Sequence, residues 1–385
     1  MKNIVLLHFL PLEQYPPAMN IIDYLASHLD AEITVLTTTP QKHFQLSRYE
    51  NANQKVKIIR TSSIDSQSKW RYLNYLKYYI ICFFTLLSKR PNAIFYLETL
   101  SSFSALLYKK WINRKVDVLA HYHEYNTKEE YYNNMVLVKW FHKMELGLYP
   151  KFKWISQTNA ERLSRFRVDI NMNDARFDVI FHEMPNYPPP TWIAKPKSEL
   201  TFQVKLVYVG SLGLDTMYLK ELMEWINKNE GKFTLDIFAY NINQEASDYV
   251  RKWENSKVVC FHGGCNYNEL PKILPNYDVG IVMYKPFSLN TIHAVSNKIM
   301  EYMSLGLDVW FSKEMEHSFK YVREDCYPKV LPLNFNALDD FNFERALNRS
   351  GLSYVPSPHN YDNIYIHLKN HLTACLVNHG SAFHE

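Results

Sequence analysis

Ten short, apolar, β-branched runs alternate with longer stretches of helical spacing, and this alternation restricts the chain to α/β architectures more firmly than any other feature. The runs fall in two groups, at residues 3–9, 31–38, 56–62, 93–98 and 116–122, and at 204–209, 233–240, 258–262, 278–284 and 308–312. Such an order predicts βαβ units and two mainly parallel sheets. Between the groups, Pro185, Pro188, Pro189, Pro190 and Pro196 interrupt both helix and strand, so residues 187–200 read as a stiff, extended connector. At 385 residues there is length enough for two cores. The expected division is an N-terminal Rossmann-like domain at 1–186, the connector, a second Rossmann-like domain at 201–358, and a C-terminal helical segment at 359–385. In the first domain, Leu73, Leu76, Ile80, Phe83 or Phe84, and Leu87 recur at helical spacing, as expected of a helix lying on a sheet. In the tail from Tyr361 to Leu376, the apolar members are Ile364, Ile366, Leu368, Leu372 and Leu376.

Glycine narrows the function. A backbone that turns tightly and approaches a diphosphate needs glycine, and residues 1–146 contain none. Both the dinucleotide fingerprint and the P-loop are thereby excluded from the first half, and with them a dehydrogenase reading. Gly210, Gly213, Gly263, Gly264, Gly280 and Gly306 all lie in the second half. Gly210 and Gly213 stand where a strand gives way to a helix, at the edge where open α/β sheets bind ligands. A plain turn explains the same pair.

The segment from Asp278 to Phe311 says more. A buried strand ends at Tyr284, a polar loop follows, and a helix starts near Ser296, whose hydroxyl can cap it. Helix amides and Lys298 together favour a phosphate, and Glu301, one turn on from Asn297, is placed to accept from a ribose. The alternative is a cap made by Ser296 beside a solvated Glu301. In the first half, HYHEYN follows the run from Val116, so His121 and His123 point one way and Tyr122 and Glu124 the other. Either histidine suits orienting an acceptor or taking its proton at neutral pH; hydrogen bonding to a neighbouring loop is the structural alternative. HEYNTK is not the HExxH zinc pattern.

The passage SNKIMEYMSLGLDV, with VYVGSL, VVCFHGGCNYNELPKILPNYDVGIVMY and HYHEY, resembles the GT-B glycosyltransferases, family 4 in particular, over nearly the whole chain. The resemblance implies two Rossmann-like domains facing a central cleft, with the C-terminal helix crossing back to the N-terminal domain. It implies a donor site for a UDP- or GDP-sugar formed by Gly210, Ser211, Gly263, Tyr284, Asn290, His293, Ser296, Asn297, Lys298 and Glu301, with Glu301 on the ribose. On the acceptor side it favours His123 and Glu124, with His121 beside them. Neither cofactor nor metal is expected, and transfer with retention to a glycan or lipid-linked acceptor in cell-surface polysaccharide synthesis follows. Three departures stand out: His293 replaces the usual partner glutamate, and Ser211 and Thr216 replace phosphate-binding cations. Lys298 is left to compensate. A nucleotide-sugar epimerase and a non-catalytic binding subunit remain as alternatives.

Charge is uneven. Residues 1–190 hold 24 Lys and Arg against 17 Asp and Glu, and residues 191–385 hold 19 against 22. The excess is too dilute for nucleic acid, which is not expected as a partner. Lys69-Trp70-Arg71-Tyr72 and Lys109-Lys110-Trp111 with Arg114 and Lys115 mix cations and aromatics, as an anionic membrane surface would require or a solvated basic face would tolerate. The start of the chain reads as a strand rather than a signal peptide, and the apolar run Tyr78–Leu87 is too short to span a bilayer. The expectation is a cytoplasmic protein with peripheral contact at the inner membrane face. Cys82, Cys260, Cys265, Cys326 and Cys375 form no CxxC pair and read as reduced space-fillers.

Overall fold

Near-continuous apolar strands are the mark of a sheet covered on both faces, and the two groups of runs build two such sheets. The computed structural model describes residues 2–41, 44, 46–63, 69–194, 203–253, 256 and 258–378. Its contacts divide the chain into two units: residues 1–43, 47–186 and 361–385, and residues 44–46 and 187–360. The C-terminal helix Asp362–Asn378 thus belongs to the first unit, where it packs on the helix Pro16–His28.

In the first unit, β1 (Asn3–His8), β2 (Glu32–Thr38), β3 (Val56–Thr61), β4 (Ala93–Leu97), β5 (Asp117–Tyr122), β6 (Trp154–Gln157) and β7 (Phe181–Glu183) form one parallel sheet, ordered β3-β2-β1-β4-β5-β6-β7. In the second, β8 (Val204–Val209), β9 (Phe233–Phe238), β10 (Val259–Phe261), β11 (Val279–Val282) and β12 (Asp308–Ser312) are joined past β13 (Cys326–Tyr327) by β14 (Val330–Leu333). Their order is β10-β9-β8-β11-β12-β14, again all parallel, while β13 pairs with β15 (Ser353–Tyr354) in a small separate sheet. The strand order of each main sheet reverses once, between β1 and β4 and between β8 and β11. In open α/β sheets, ligands bind at the carboxyl ends of the strands beside such a reversal. Each unit is Rossmann-like, as the alternation implies. Beyond the ten runs, β6, β7 and β14 add strands of three or four residues, too short to register as periodicity.

Helices cover these sheets with faces that the spacing did not always identify. Arg71–Lys89 is a helix, but Leu73, Leu76, Ile80 and Phe84 point outward, at 54%, 54%, 45% and 64% exposure. Tyr78, Tyr79, Cys82 and Leu86 are buried instead. Both stripes are apolar, so a 3.6-residue period fits either. The tyrosine stripe packs inward because its hydroxyls find acceptors there, Tyr79 on the Leu100 carbonyl at 3.0 Å and Tyr78 on that of Leu36 at 3.4 Å. The C-terminal helix shows a smaller shift of the same kind: Tyr365, Leu368, Leu372, Cys375 and Leu376 are buried, whereas Ile366 is exposed. Of the connector, residues 187–194 are irregular, and Trp192 is buried in the second unit's core against Tyr267. Pro196 and the rest of the expected connector, 195–200, lie outside the described residues.

A buried polar knot sits under the first sheet. Glu145, fully buried on the helix Val136–Leu146, accepts from Tyr96, Tyr122, Thr99 and Tyr149 at 2.8–3.1 Å. It ties β4 and β5 to the helical layer.

In the second unit the helix Asn297–Ser304 is seated by one close approach. A Cβ on Gly280, in β11, would stand only 2.2–2.7 Å from three atoms of the Tyr302 ring. Because glycine leaves that space, Tyr302 lies flat on the sheet and its hydroxyl accepts the Val209 N–H at 3.0 Å. Gly280→Ala should therefore cost about 2 kcal/mol through overpacking, read as a lowered denaturation midpoint. Tyr302→Phe, which keeps the ring but leaves the Val209 amide without that acceptor, should cost about 1–3 kcal/mol by the same measurement.

Candidate functional site

At the carboxyl end of β8 the chain turns through Gly210, whose φ of +143° favours glycine. The amide of Gly210 donates to the Phe238 carbonyl at 2.9 Å, which holds the turn against β9. Across it comes Lys298. A Cβ at position 210 would stand 2.6 Å from Lys298 Cε and 3.1 Å from its Nζ. The ammonium thus lies over a backbone with no side chain, at the reversal point of the sheet. Burial works against that charge, but Tyr284, Glu301 and Tyr240 outweigh it and raise the Lys298 pKa above the ordinary lysine value. Glu301, one turn behind, is 8% exposed; burial raises its pKa and Lys298 acts in the opposite direction.

Ser296 is the N-cap, its Oγ accepting the Lys298 N–H at 3.4 Å, and Asn297 is the first helical residue. The first-turn amides and the Lys298 ammonium therefore occupy one end of one helix. That combination is suited to a phosphate. Ser211 is exposed after the turn, its carbonyl accepting from the Tyr208 hydroxyl. Tyr284 follows β11 and pairs with Met217 in an isolated bridge rather than ending the strand itself. Gly263 lies just beyond β10, with its carbonyl accepting the Ala239 N–H at 2.7 Å. Asn290 belongs to the short helix Leu289–Ile292, and His293, which ends it, is buried with its ring 5.0 Å from that of His317. Thr216 and Lys285 add no uncommitted cation, since Lys285 is paired with Glu221 at 2.9 Å. The groups brought closest are Gly210, Tyr284, Lys298 and Glu301, with Tyr240 and Tyr208, aromatic neighbours that spacing did not single out.

The reversal point of the first sheet gathers titratable groups. His121, within β5, is fully buried and places Nδ1 2.9 Å from Ser156 Oγ. His123, at 8% exposure, lies edge-on to it with ring centroids 4.5 Å apart. Tyr122 faces the opposite way, into the knot at Glu145. Glu124 is exposed. Burial holds His123 down to about 4 and, with His123 adding to it, His8 at the end of β1 down to about 3, so both are neutral at pH 7.

Glu98 completes this edge, and spacing did not single it out. It stands one residue past β4 with φ +66° and ψ 149°, a region that residues other than glycine almost never occupy. Its Oε1 accepts the His123 N–H at 2.5 Å. Burial, reinforced by Glu124, pushes its carboxyl up to about 8. Arg162 donates to the His123 carbonyl at 2.9 Å and to Thr158 Oγ1 at 2.8 Å, bracing the same loop from another helix. The place of Glu98 immediately after a strand at the reversal was the one signal available in the sequence.

All five cysteines are free thiols. One mixed group, Asp236, Cys260 and His262, brings ligand atoms within 4.8 Å of one another between β9 and β10. Asp236 is already engaged there by the Tyr277 hydroxyl at 2.6 Å, and His262 stacks on Phe238.

No family model and no curated protein sequence matches the chain. Solved structures do. The sucrose-phosphate synthase of Thermosynechococcus elongatus superposes with a TM-score of 0.62 at 13% identity, over 100% of this chain and 98% of its own. The lipopolysaccharide outer core galactosyltransferase WaaB gives 0.55 at 13% identity, over 100% and 99%. The UDP-GlcNAc 2-epimerase of Neisseria meningitidis, bound to UDP-GlcNAc, gives 0.56 at 12% identity, over 97% and 100%. Two parallel-sheet Rossmann-like units, a C-terminal helix returned to the first of them, and these full-length matches together establish that the chain has the GT-B glycosyltransferase fold.

Proposed function

We propose that this chain is a glycosyltransferase that moves a sugar from a UDP- or GDP-sugar to a glycan or lipid-linked acceptor in cell-surface polysaccharide synthesis. The observation that carries the reading is the Lys298 ammonium lying over Gly210 at the start of a helix. In this reading the diphosphate sits on the Gly210–Ser211 turn, the Ser296–Lys298 amides and Lys298 stabilise the departing nucleoside diphosphate, and Glu301 accepts from the ribose. Lys298 then does the work of the cations missing at Ser211 and Thr216. Asn290, His293, Tyr284 and Gly263 line the approach of the sugar and base. Transfer proceeds with retention, and the anomer of the product, read by NMR, tests it.

On the first unit, His123 and Glu124 handle the acceptor, and His121, held on Ser156, positions His123. Glu98 joins them as a carboxylic acid able to give or take a proton near neutral pH. The chemistry needs no metal in this scheme. A second reading, epimerisation of a nucleotide sugar, is favoured by the UDP-GlcNAc 2-epimerases among the matching structures. Donor turnover without acceptor separates the two: an epimerase consumes the donor alone, and a transferase shows at most slow hydrolysis.

Thermal-shift and calorimetric titrations with UDP, GDP, ADP and CMP should give binding by UDP or GDP. Lys298→Ala and Gly210→Val should each weaken it by about tenfold or more, the first by removing the cation and the second by displacing it. Undiminished binding in both variants would sink the site assignment. Glu98 supplies a second test. Between about pH 4.5 and 8 the folded chain retains a proton that the unfolded chain has lost, so Glu98 makes stability fall as pH rises across that window, with the loss complete above about 8. In Glu98→Gln this part of the slope should vanish from urea midpoints measured across the window.

A further inference from the structure

The helix Arg71–Lys89, the turn Tyr108–Ile112 and the helix Val136–Leu146 cover the same face of the first sheet, with Thr99–Leu107 between them. Their inner sides are spent on the domain core, where Tyr79, Tyr108 and Phe141 belong to one buried cluster. Their outer sides are nonetheless apolar. Leu73, Leu76, Ile80 and Phe84 form a stripe along the first helix, Trp111 stands 69% exposed on the turn, and Trp140 50% exposed on the last helix. A water-facing surface gains nothing from such residues, and a patch of this kind marks an interaction site.

Charge identifies the partner. Residues 69–90 hold Lys69, Arg71, Lys77, Lys89 and Arg90 and no acidic residue. Lys77 falls within the apolar stripe itself, four residues from Leu73 and three from Ile80. Lys110, Arg114 and Lys115 flank Trp111 with no acid between residues 99 and 116, and Lys139 and Lys143 flank Trp140. The one acid of that last helix, Glu145, is fully buried. Among the described residues, Lys77, Lys110, Arg114, Lys115, Lys139 and Lys143 make no ion pair. Lys110 instead lies over the Trp111 ring at 5.3 Å and Lys139 over that of Tyr132 at 4.9 Å.

We infer that this face docks the first unit on a lipid bilayer bearing anionic headgroups, with the 71–89 helix lying in the plane of the interface. The arrangement meets both demands of such a surface. Leucine, isoleucine and phenylalanine enter the acyl boundary, the tryptophans sit at headgroup level, and the lysines and arginines meet phosphate outside it. No helix among the described residues is long and apolar enough to cross a membrane, and the inner side of the 71–89 helix is held by the sheet. The helix can therefore lie on the bilayer but not leave the domain to span it. The inference stands apart from sugar transfer, since it uses none of the residues assigned to donor or acceptor.

Sedimentation of the full chain with vesicles tests it, comparing phosphatidylcholine alone with phosphatidylcholine containing about a third phosphatidylglycerol. The expected result is partition onto the anionic vesicles about tenfold or more above the neutral ones, falling as salt is raised. Leu76→Asp combined with Phe84→Asp, and separately Lys110→Glu with Arg114→Glu and Lys115→Glu, should each reduce that partition about tenfold or more while leaving the melting temperature and the nucleotide-induced thermal shift unchanged. All of these positions are exposed, so loss of folding is not expected to mask the result. Failure to sediment with anionic vesicles, or sedimentation undiminished in both variants, overturns the inference. So does a self-associated form that the apolar variant disperses in the absence of vesicle binding, which would give the face to a second copy of the chain. Loss of nucleotide binding with vesicle binding intact would count against the donor site alone.

Discussion

The arrangement of the second unit turns on a ring laid against a residue with no side chain. Tyr302 occupies the space above Gly280 and hands its hydroxyl to the Val209 amide, the last backbone donor of β8. That contact sets how the 297–304 helix meets the sheet, and with it where the first turn of the helix comes to rest. Lys298 and Glu301 are carried to the reversal of strand order by this seating, and the ammonium is held there beside Tyr284, Tyr240 and Glu301. Gly210 then receives the ammonium because nothing projects from its α-carbon on that side. Two glycines about seventy residues apart thus act in series, one to place a helix and one to admit its cation.

The first unit solves the corresponding problem with strain and burial. Its carboxyl edge is closed to water around His8, His121 and His123, which keeps all three rings uncharged, and Glu98 is held there in a backbone conformation that its side chain does not favour. A residue kept in such a state has to be over-determined by its surroundings. The His123 amide supplies one restraint, and Arg162 another by fixing the carbonyl of the same residue. Both restraints act on the backbone of His123, so the Glu98 carboxyl and the His123 loop are fixed to each other.

Much of this was legible in the residues. Alternation gave both sheets, and the ten apolar runs overlap ten strands, most plainly at β4, β5, β11 and β12, which are buried throughout and have no polar face to blur the signal. Ser296 declared the helix start by its chemistry. Glycine placement pointed to the turn after β8, where Gly210 takes a φ of +143°. Faces of helices were harder. The 71–89 helix is apolar nearly all the way round, so its period could not say which stripe went inward; the choice was made by two carbonyls waiting to accept tyrosine hydroxyls, a fact of tertiary structure. Glu98 escaped for another reason. Its character comes from a dihedral angle and from exclusion of water, and neither leaves a mark on sequence spacing.

The knot at Glu145 has an implication for how this chain can vary. Four hydroxyls from two strands, a helix start and a turn converge on one carboxylate with no water-facing side. Replacing any single tyrosine by phenylalanine subtracts one donor, but replacing the acid takes the shared acceptor from all four hydroxyls and leaves only the bonds they make with other hydroxyls, such as Tyr122 with Tyr149 at 2.9 Å. Drift among relatives should consequently run in one order: donors can be lost individually, and the acid can be exchanged only after most of them have gone.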